Sequence, residues 1–403
     1  MMSFVLIGKS VRIALPVFQA INGFSDQKCV LVGDEESRVL RMSKFCKEHL
    51  LISFDGHGDD HFVRVINGIE ENNAEVILIP FDCEGIKLVN RTRTLLKHKI
   101  IPIPDEKMID LFEDKWSFYE FCSNNFLTVP YTRFIGLKSN LNFSAIVSEM
   151  GLPFVLKPTN WSGSMGVQIV RSKKQFEEDI QNNPQYEYGS LIAQRYVDGV
   201  DIGLDLFAVH GKVCAIAMQQ PVKSAMRFIS NDYLKEAAEK ICGASSYHGV
   251  MNVDARVENG TGKVFLIESN PRFWASLITS VDCGLNFLDE VVHHRSPIAS
   301  MRELTSGISY IRHPLIRPSS WWSLISDRGQ QGRLLRARMF DLFCVGQLIA
   351  DLPRMAKDFM TQRSAFILKL LKVQNKQNHL EVDEKVPSVG SVSTKSVESK
   401  GFI

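Results

Sequence analysis

The chain has 403 residues, a hydrophobic content of 45%, a charged content of 23% and a formal net charge of +2. That length exceeds one ordinary hydrophobic core and points to two or three domains, and the near-neutral charge leaves no electrostatic footprint for nucleic acid as the main partner. The eight cysteines are scattered, without a C-x-x-C pair or zinc-type spacing, and read as small buried residues of a reducing compartment. Phe4–Ile7 is too short for the apolar core of a leader and runs straight into Gly8-Lys9-Ser10. No apolar run approaches the ~18 residues of a membrane span, so the expectation is a cytoplasmic protein.

From the start to residue 112, short apolar runs alternate with helical periodicity. Phe4–Ile7, Cys29–Val32, Leu51-Ile52 and Val76–Ile79 read as strands; Val11–Ile21, Phe62–Glu71 and Ile86–Leu96 read as helices. This alternation predicts an α/β domain over 1–112, with a parallel sheet covered on both faces, and Pro102 and Pro104 mark its end. Over 113–190 the pattern gives a helix at Lys115–Cys122, a strand at Tyr131–Phe134, a helix at Phe143–Glu149 and a buried strand at Pro153–Lys157. From 190 to 275 the pattern is strand-rich, with Leu191–Tyr196, Asp201–Val209, Lys212–Met218, Gly249–Val257 and Lys263–Ser269 interrupted by a helix at Asp232–Cys242, and beyond 285 it is helical. A helical extension is expected over 301–375 and a disordered tail over 376–403, where Ser, Val, Lys and Glu dominate without periodicity. The stretch from 320 to 375 is apolar, aromatic and basic. It reads as an appendage on the catalytic body with solvated bases or as a helical element for a partner or membrane surface.

The densest polar signal is Leu266-Ile267-Glu268-Ser269-Asn270-Pro271-Arg272. On a strand, Glu268 and Asn270 emerge on one face, Pro271 ends the ladder, and two oxygen ligands at a rigid edge suit a hard cation such as Mg²⁺. Arg272 beside them offers a bidentate grip on phosphate or carboxylate. Glu258–Gly262 reads as a hairpin loop to the preceding strand. If its turn centres on Thr261, Asp254 faces Glu268 as a third oxygen ligand; a slip of one residue would remove it. A strand that merely ends in a polar turn is the alternative.

Lys157 closes an apolar strand and precedes Thr159-Asn160-Trp161-Ser162-Gly163-Ser164-Met165-Gly166, a loop whose N–H groups can face phosphate oxygens while the ammonium neutralises them. No Walker A motif occurs, and Gly8-Lys9-Ser10 reads as an ordinary strand-to-helix turn. Leu191–Asp201 is a strand ending in a glycine turn. Asp55–Asp60 with His57 and His61 imitates a metal cluster but reads as a loop before a helix, and His293-His294 reads as a helix end. Lys223 and Arg227 are candidate contacts for a carboxylate or phosphate, or else part of a solvated loop.

In order, these pieces resemble the ATP-grasp superfamily over residues 1–295. They comprise Asp114-Lys115-Trp116, the Lys157-Pro158 strand with its glycine loop, Gln194-Arg195-Tyr196-Val197-Asp198-Gly199, and Glu268-Ser269-Asn270-Pro271-Arg272. The run through Phe273-Trp274-Ala275-Ser276 is similar to the predicted carboligases related to the carbamoyl-phosphate synthase large chain. The resemblance implies an ATP-grasp fold: a Rossmann-like pre-ATP-grasp domain at 1–112, ATP-grasp subdomains at 113–190 and 191–300, and the C-terminal helical extension. It implies ATP as cofactor with Mg²⁺ or Mn²⁺, and an ADP-forming ligase joining small-molecule carboxylate and amine (or thiol or hydroxyl) substrates through an acyl-phosphate. A bicarbonate-using enzyme and a catalytically silent ATP-binding assembly module are the alternatives, and a homo-oligomer stays open.

Residue by residue, the resemblance places Lys115 and Lys157 on the phosphates under the loop Ser162, Gly163, Ser164 and Gly166. Gln194, Arg195, Tyr196 and Val197 fall on the adenine, Asp201 on the ribose, and Asp254, Glu268 and Asn270 on the metal. Arg272 and Lys157 are the catalytic pair.

Overall fold

In the computed structural model, residues 2–70, 74–161, 163–294, 300–310, 313–316, 321–322 and 330–350 are described. The chain divides into two units, Met1–Val345 and Gly346–Ile403; within the second, 346–350 are helical. The three sheets lie in the first unit.

Strands β1 (Met2–Ile7), β2 (Cys29–Gly33), β3 (Cys46–Leu51), β4 (Glu75–Pro80) and β5 (Lys99–Ile100) form a parallel sheet in the order β3-β2-β1-β4-β5. β1, β2 and β4 are near-continuous apolar runs because helices such as α1 (Val11–Phe24), α2 (Asp59–Asn67) and α3 (Cys83–Thr92) cover the sheet. β1 leads outward to β2 and β4 outward to β5, so the order reverses between β1 and β4, where open α/β sheets leave a crevice at the strands' C-terminal ends. Asp82 occupies that crevice. Its buried carboxylate accepts the backbone N–H of Lys9 and Ser10, both at 2.8 Å, and caps α3 through the Gly85 N–H at 2.9 Å. The turn Gly8-Lys9-Ser10 is therefore satisfied from within the chain. Gly85 allows the approach: a Cβ there would stand 2.2 Å from the Ile7 carbonyl oxygen.

Helices α4 (Glu106–Glu113) and α5 (Lys115–Asn124) follow, each capped by the aspartate before it: Asp105 accepts from Met108 and Asp114 from Ser117. A four-stranded antiparallel sheet, β6-β9-β7-β8, comes next, with β6 (Thr132–Gly136), β7 (Phe154–Pro158), β8 (Gln168–Val170) and β9 (Leu191–Arg195). Its core of Ile146, Phe154, Leu156, Phe176 and Leu191 packs under α6 (Phe143–Met150) and the single turn α7 (Lys173–Phe176).

The third sheet has the order β14-β13-β10-β11-β12-β16, with β15 beside β11. Its strands are β10 (Gly199–Val209), β11 (Lys212–Val222), β12 (Ala225–Ile229), β13 (Gly249–Glu258), β14 (Val264–Asn270), β15 (Arg302–Leu304) and β16 (Gly307–Tyr310), and α8 (Asp232–Ser245) packs on it. Helices α9 (Leu277–Asp282) and α10 (Phe287–Val292) join the core of the parallel sheet. Helix α11 (Gln330–Met339) is tied to α1 and α9: Arg333 donates to the Gly23 carbonyl at 2.9 Å and pairs with Asp26 just beyond α1 at 3.1 Å, and Arg338 pairs with Asp282 at 3.0 Å.

Differences from expectation have local causes. β3 begins at Cys46, not Leu51, because it is an edge strand whose Lys47 and Glu48 are exposed and hide the apolar signal. Pro102 and Pro104 masked α4, whose Ile109 and Phe112 are buried. β9 pairs with β6 and β7, so the four-stranded sheet runs to Arg195, past the boundary expected at 190. Residues 302–310 are strands rather than the start of a helical extension; runs of three or four residues are too short for any period to show. Most of 320–375 and all of 376–403 lie outside the described residues. All eight thiols are free, with Cys283 alone not fully buried, and among the described residues no helix is long and apolar enough to cross a membrane.

Asp82→Ala would strand three backbone N–H groups beneath the parallel sheet. Loss of about 2–4 kcal/mol in chemical denaturation is expected, and a loss under ~1 kcal/mol would show that this carboxylate does not organise the turn.

Candidate active site

The site starts from a hairpin. β13 and β14 pair as Val257↔Val264, Arg256↔Phe265 and Ala255↔Leu266, then shift by one residue to Asp254↔Glu268, Val253↔Ser269 and Asn252↔Asn270. The turn is thus centred half a residue before Thr261, and the extra residue on β14, Ile267, forms a bulge that restores the register. Without it Glu268 would face Val253, and its side chain would leave the face that carries Asp254. With it, Asp254, Glu268, Asn252 and Asn270 share one face of the sheet.

Two ammonium groups from other elements meet Glu268. Lys115, the first residue of α5, is placed by the Asp114 cap; its backbone N–H donates to the Thr159 carbonyl and its Nζ to the Trp161 carbonyl at 2.6 Å. Lys157 stands near the end of β7, and its Nζ lies 3.5 Å from the carbonyl oxygen of the bulged Ile267. The two ammonium groups are 3.7 and 3.8 Å from Glu268 Oε2, with side chains 8% and 3% exposed. Burial pushes the Lys157 ammonium down to about 8, with Glu268 pulling it up and Lys115 pushing it further down. Two cations share one carboxylate, an arrangement an incoming anion would complete.

Asp254 opens onto the cleft but is enclosed by protein around that opening; this enclosure, reinforced by Glu268, raises its carboxyl to about 7. It receives no hydrogen bond from any described residue. Asn270 Oδ1 accepts from Arg272 Nη2 at 2.9 Å, and the guanidinium also reaches the Phe273 carbonyl. An unpartnered carboxylate, a second one opposite it and an oriented amide oxygen make a hard-oxygen donor set, and it fits a divalent cation of the Mg²⁺ type. Among the described residues no group of three or more His, Cys, Asp and Glu offers a competing metal cluster, the Asp55–His61 stretch included.

Lys157 apart, these groups line a cleft of about 1170 Å³. Lys115, Asp254, Glu268, Asn270, Arg272 and Asp201 form one part of it, with Gly163 and Ser164 of the glycine loop. Gly163, Ser164 and Gly166 have φ of 67°, 64° and 72°, so the loop turns through the left-handed region. A Cβ at Gly166 would stand 2.7 Å from the Pro158 ring. Ser162 lies outside the described residues. From the parallel-sheet side come Lys9, Arg12 and Asp82.

Other expected residues sit elsewhere. Gln194 is buried within β9 and donates to Thr132 Oγ1 at 3.0 Å. Arg195 pairs with Glu258 at 3.0 Å and stacks on Phe265, Tyr196 packs beneath the Arg256 guanidinium, and Val197 is buried. They form the link between two sheets and do not line the cleft. Asp201 is held by Arg256 at 2.8 Å with its side chain 70% exposed. Lys223 sits in the turn between β11 and β12 and Arg227 on β12, neither lining the cleft.

The sequence reading passed over three buried polar residues beside the site, Asp205, Gln219 and Asn252. A signal existed: Asn252 precedes Asp254 by two and so shares its face, and Asp205 interrupts the apolar run Ile202–Ala208.

Comparisons with known proteins bear on this geometry. A family model described as "ATP-grasp in the biosynthetic pathway with Ter operon" matches residues 187–310. The arginine-specific large chain of carbamoyl phosphate synthase from Bacillus subtilis (strain 168) is 25% identical over 224 residues, which are 52% of this chain and 21% of that one. D-alanine–D-alanine ligase B of Xanthomonas campestris pv. campestris is 24% identical over 162 residues, 36% of this chain and 50% of the ligase. The solved N5-carboxyaminoimidazole synthetase from Staphylococcus aureus, complexed with ADP, gives a TM-score of 0.57 at 13% identity, over 77% of this chain and 80% of that one. This chain spans about a fifth of the length of the first relative and half that of the second, and the structural likeness speaks for the fold.

Because Lys157 holds its proton less tightly folded than unfolded, it opposes folding fully below about pH 8, and the penalty fades as pH rises towards its ordinary 10.5. With a metal chelator present, Lys157→Met should be more stable than the natural chain at pH 7 by about 1–3 kcal/mol. The difference should shrink towards pH 10. Urea denaturation across pH checks this, and a variant less stable at pH 7 would contradict the electrostatics described.

Proposed function

We propose that the chain is an ATP-grasp enzyme, an ADP-forming ligase joining a small carboxylate to an amine. A carboxylate oxygen attacks the γ-phosphorus of ATP as the bond to ADP breaks. The amine nitrogen then attacks the acyl carbon, phosphate leaves, and the nitrogen gives up a proton. The observation that carries the reading is the convergence of Lys115 and Lys157 on Glu268, which lines one cleft with Asp254, Asn270 and Arg272.

Each group has a role that phosphoryl transfer requires. Positioning and charge neutralisation do most of the work in that chemistry. Lys115 and Lys157 neutralise phosphate oxygens from a water-poor wall, where fixed charge acts most strongly. The backbone N–H groups of the Gly163–Gly166 loop orient the same oxygens. Asp254, Glu268 and Asn270 would hold Mg²⁺ or Mn²⁺, which supplies further charge neutralisation on the phosphates. Arg272, fixed through Asn270 and the Phe273 carbonyl, keeps a fork of donors for the carboxylate and its phosphorylated form. With its side chains engaged elsewhere and outside the cleft lining, the link Gln194–Val197 would meet the adenine through its backbone, and Asp201, which lines the cleft, would take the ribose. Free thiols throughout fit a cytoplasmic location.

ADP release measured against a library of amino and hydroxy acids, with and without bicarbonate, tests the proposal. Release that needs both an acid and an amine is expected. Release with bicarbonate alone would replace the ligase by a carboxylase of the same fold, and ATP binding without release on any substrate would leave a silent nucleotide-binding module. Glu268→Gln and Asn270→Ala should each lower turnover about 100-fold or more, and Lys157→Ala should weaken ATP binding about tenfold by calorimetry.

A further inference from the structure

A hydrogen-bonded row of side chains crosses four strands beneath the cleft. Asn270 on β14 donates through Nδ2 to Asn252 Oδ1 on β13 at 3.1 Å. Asn252 donates through its own Nδ2 to Asp205 Oδ1 on β10 at 2.9 Å. Gln219 on β11 donates to the same Asp205 oxygen at 3.2 Å and to Ser276 Oγ at 3.0 Å. Asp205, Gln219 and Asn252 are 1%, 4% and 7% exposed, so the middle of the row is nearly shut off from water, with Asn270 and Ser276 half-buried at its two ends.

Register explains why the row closes. Asn270, Asn252 and Asp205 pair directly across β14, β13 and β10. Gln219 is two pairs along on the same face, opposite Gly203, and reaches Asp205 across that glycine. A Cβ at Gly203 would stand 3.1 Å from Gln219 Cγ and 3.7 Å from Asn252 Nδ2. The missing side chain is the space through which the amides meet.

A primary amide has an acceptor end and a donor end and can turn either one outward. The Asp205 oxygen that receives two amide donors accepts only, so Asn252 must turn its NH₂ to Asp205 and its carbonyl oxygen to β14. Asn270 must in turn place its NH₂ against Asn252, which leaves Oδ1 facing the cleft, where Arg272 meets it at 2.9 Å. We propose that Asp205 and Asn252 are positioning residues that fix the polarity of the Asn270 amide, so that an oxygen and not an NH₂ faces the cation. The inference rests on the reading of Asn270 as a metal ligand. Partners behind a ligand are worth 10–100-fold in metal affinity by about the same logic in other sites.

The test is Mn²⁺ titration in the presence of ADP, read by the electron-paramagnetic signal of free Mn²⁺, alongside ADP binding by calorimetry in EDTA. The natural chain is expected to bind Mn²⁺. Asn252→Leu and Asp205→Leu, close in volume but without the relay, should weaken Mn²⁺ about tenfold or more while ADP affinity in EDTA stays within about twofold. Asp205→Asn, which keeps an acceptor oxygen of the same shape, should recover most of the Mn²⁺ affinity. Folding of each variant is checked by circular dichroism; if a leucine variant does not fold, Asn252→Ser serves in its place. Mn²⁺ affinity unchanged in the broken-relay variants would overturn the inference and leave the metal site standing. Equal loss in Asp205→Asn and Asp205→Leu, or parallel loss of metal-free ADP binding, would reduce the row to packing and also overturn it. A natural chain that binds no Mn²⁺ would instead sink the reading of the site itself.

Discussion

Two buried ammonium groups about equally distant from one carboxylate hold the site together. Lys115 comes from a helix N-terminus, Lys157 from the four-stranded sheet and Glu268 from the seven-stranded sheet, so three elements meet at one oxygen, Glu268 Oε2. Removing a cation from water is costly and is offset only by a close counter-charge and hydrogen-bond partners. Burial outweighs the pull of Glu268 and Asp254 on Lys157, and its lowered proton affinity records the difference. A buried cation that its neighbours offset only in part is a liability in an empty protein and an asset when a polyphosphate arrives. The electrostatics are complete only with the ligand in place.

The same carboxylate depends on a single backbone irregularity. The hairpin turn alone would set Glu268 against Val253 and send it away from Asp254. The extra residue Ile267 returns Glu268 to the working face and stands with its carbonyl oxygen within 3.5 Å of the Lys157 ammonium. One bulge therefore fixes the metal-type donor set and its distance to the phosphate-type cations together. Bulges beside functional sites re-aim side chains in this way, and here the re-aimed side chain is the one the two lysines require.

Much of this was legible in the residues. Strand and helix alternation in the first 112 residues points to the parallel sheet, and the glycine loop and the Glu268-x-Asn270 pair line one cleft, with the Lys157 ammonium 3.8 Å from Glu268. The facing of Asp254 and Glu268 was foreseen for a reason only half right, since the turn is not centred on Thr261 and the bulge supplies the missing residue. A bulge has no composition of its own when the inserted residue is an isoleucine in an apolar run. Short edge strands such as Arg302–Leu304 were unreadable because three residues carry no period. Asp205 and Gln219 were unreadable as partners because their contact runs over Gly203 between strands, and sequence spacing does not encode diagonal neighbours.

The fold contains two places ready for an anion, and the chain treats them in opposite ways. At the reversal of the parallel sheet, the N-terminus of α1 would by backbone geometry alone accept a phosphate. Asp82 fills it with a carboxylate of the chain's own; burial raises the affinity of that group for a proton, and the N–H groups of Ser10, Gly85 and Lys9 together with Arg272 pull it back. At the meeting of the other two sheets, Glu268 is the one carboxylate among the described residues in ion-pair contact with both Lys115 and Lys157. An anion therefore gains more at the second place than at the first, where it would have to displace a covalently tethered competitor. The parallel sheet is left to act as a wall, contributing Lys9 and Arg12 to the far side of the cleft. The division of labour between the sheets follows from where the chain has spent its internal carboxylates.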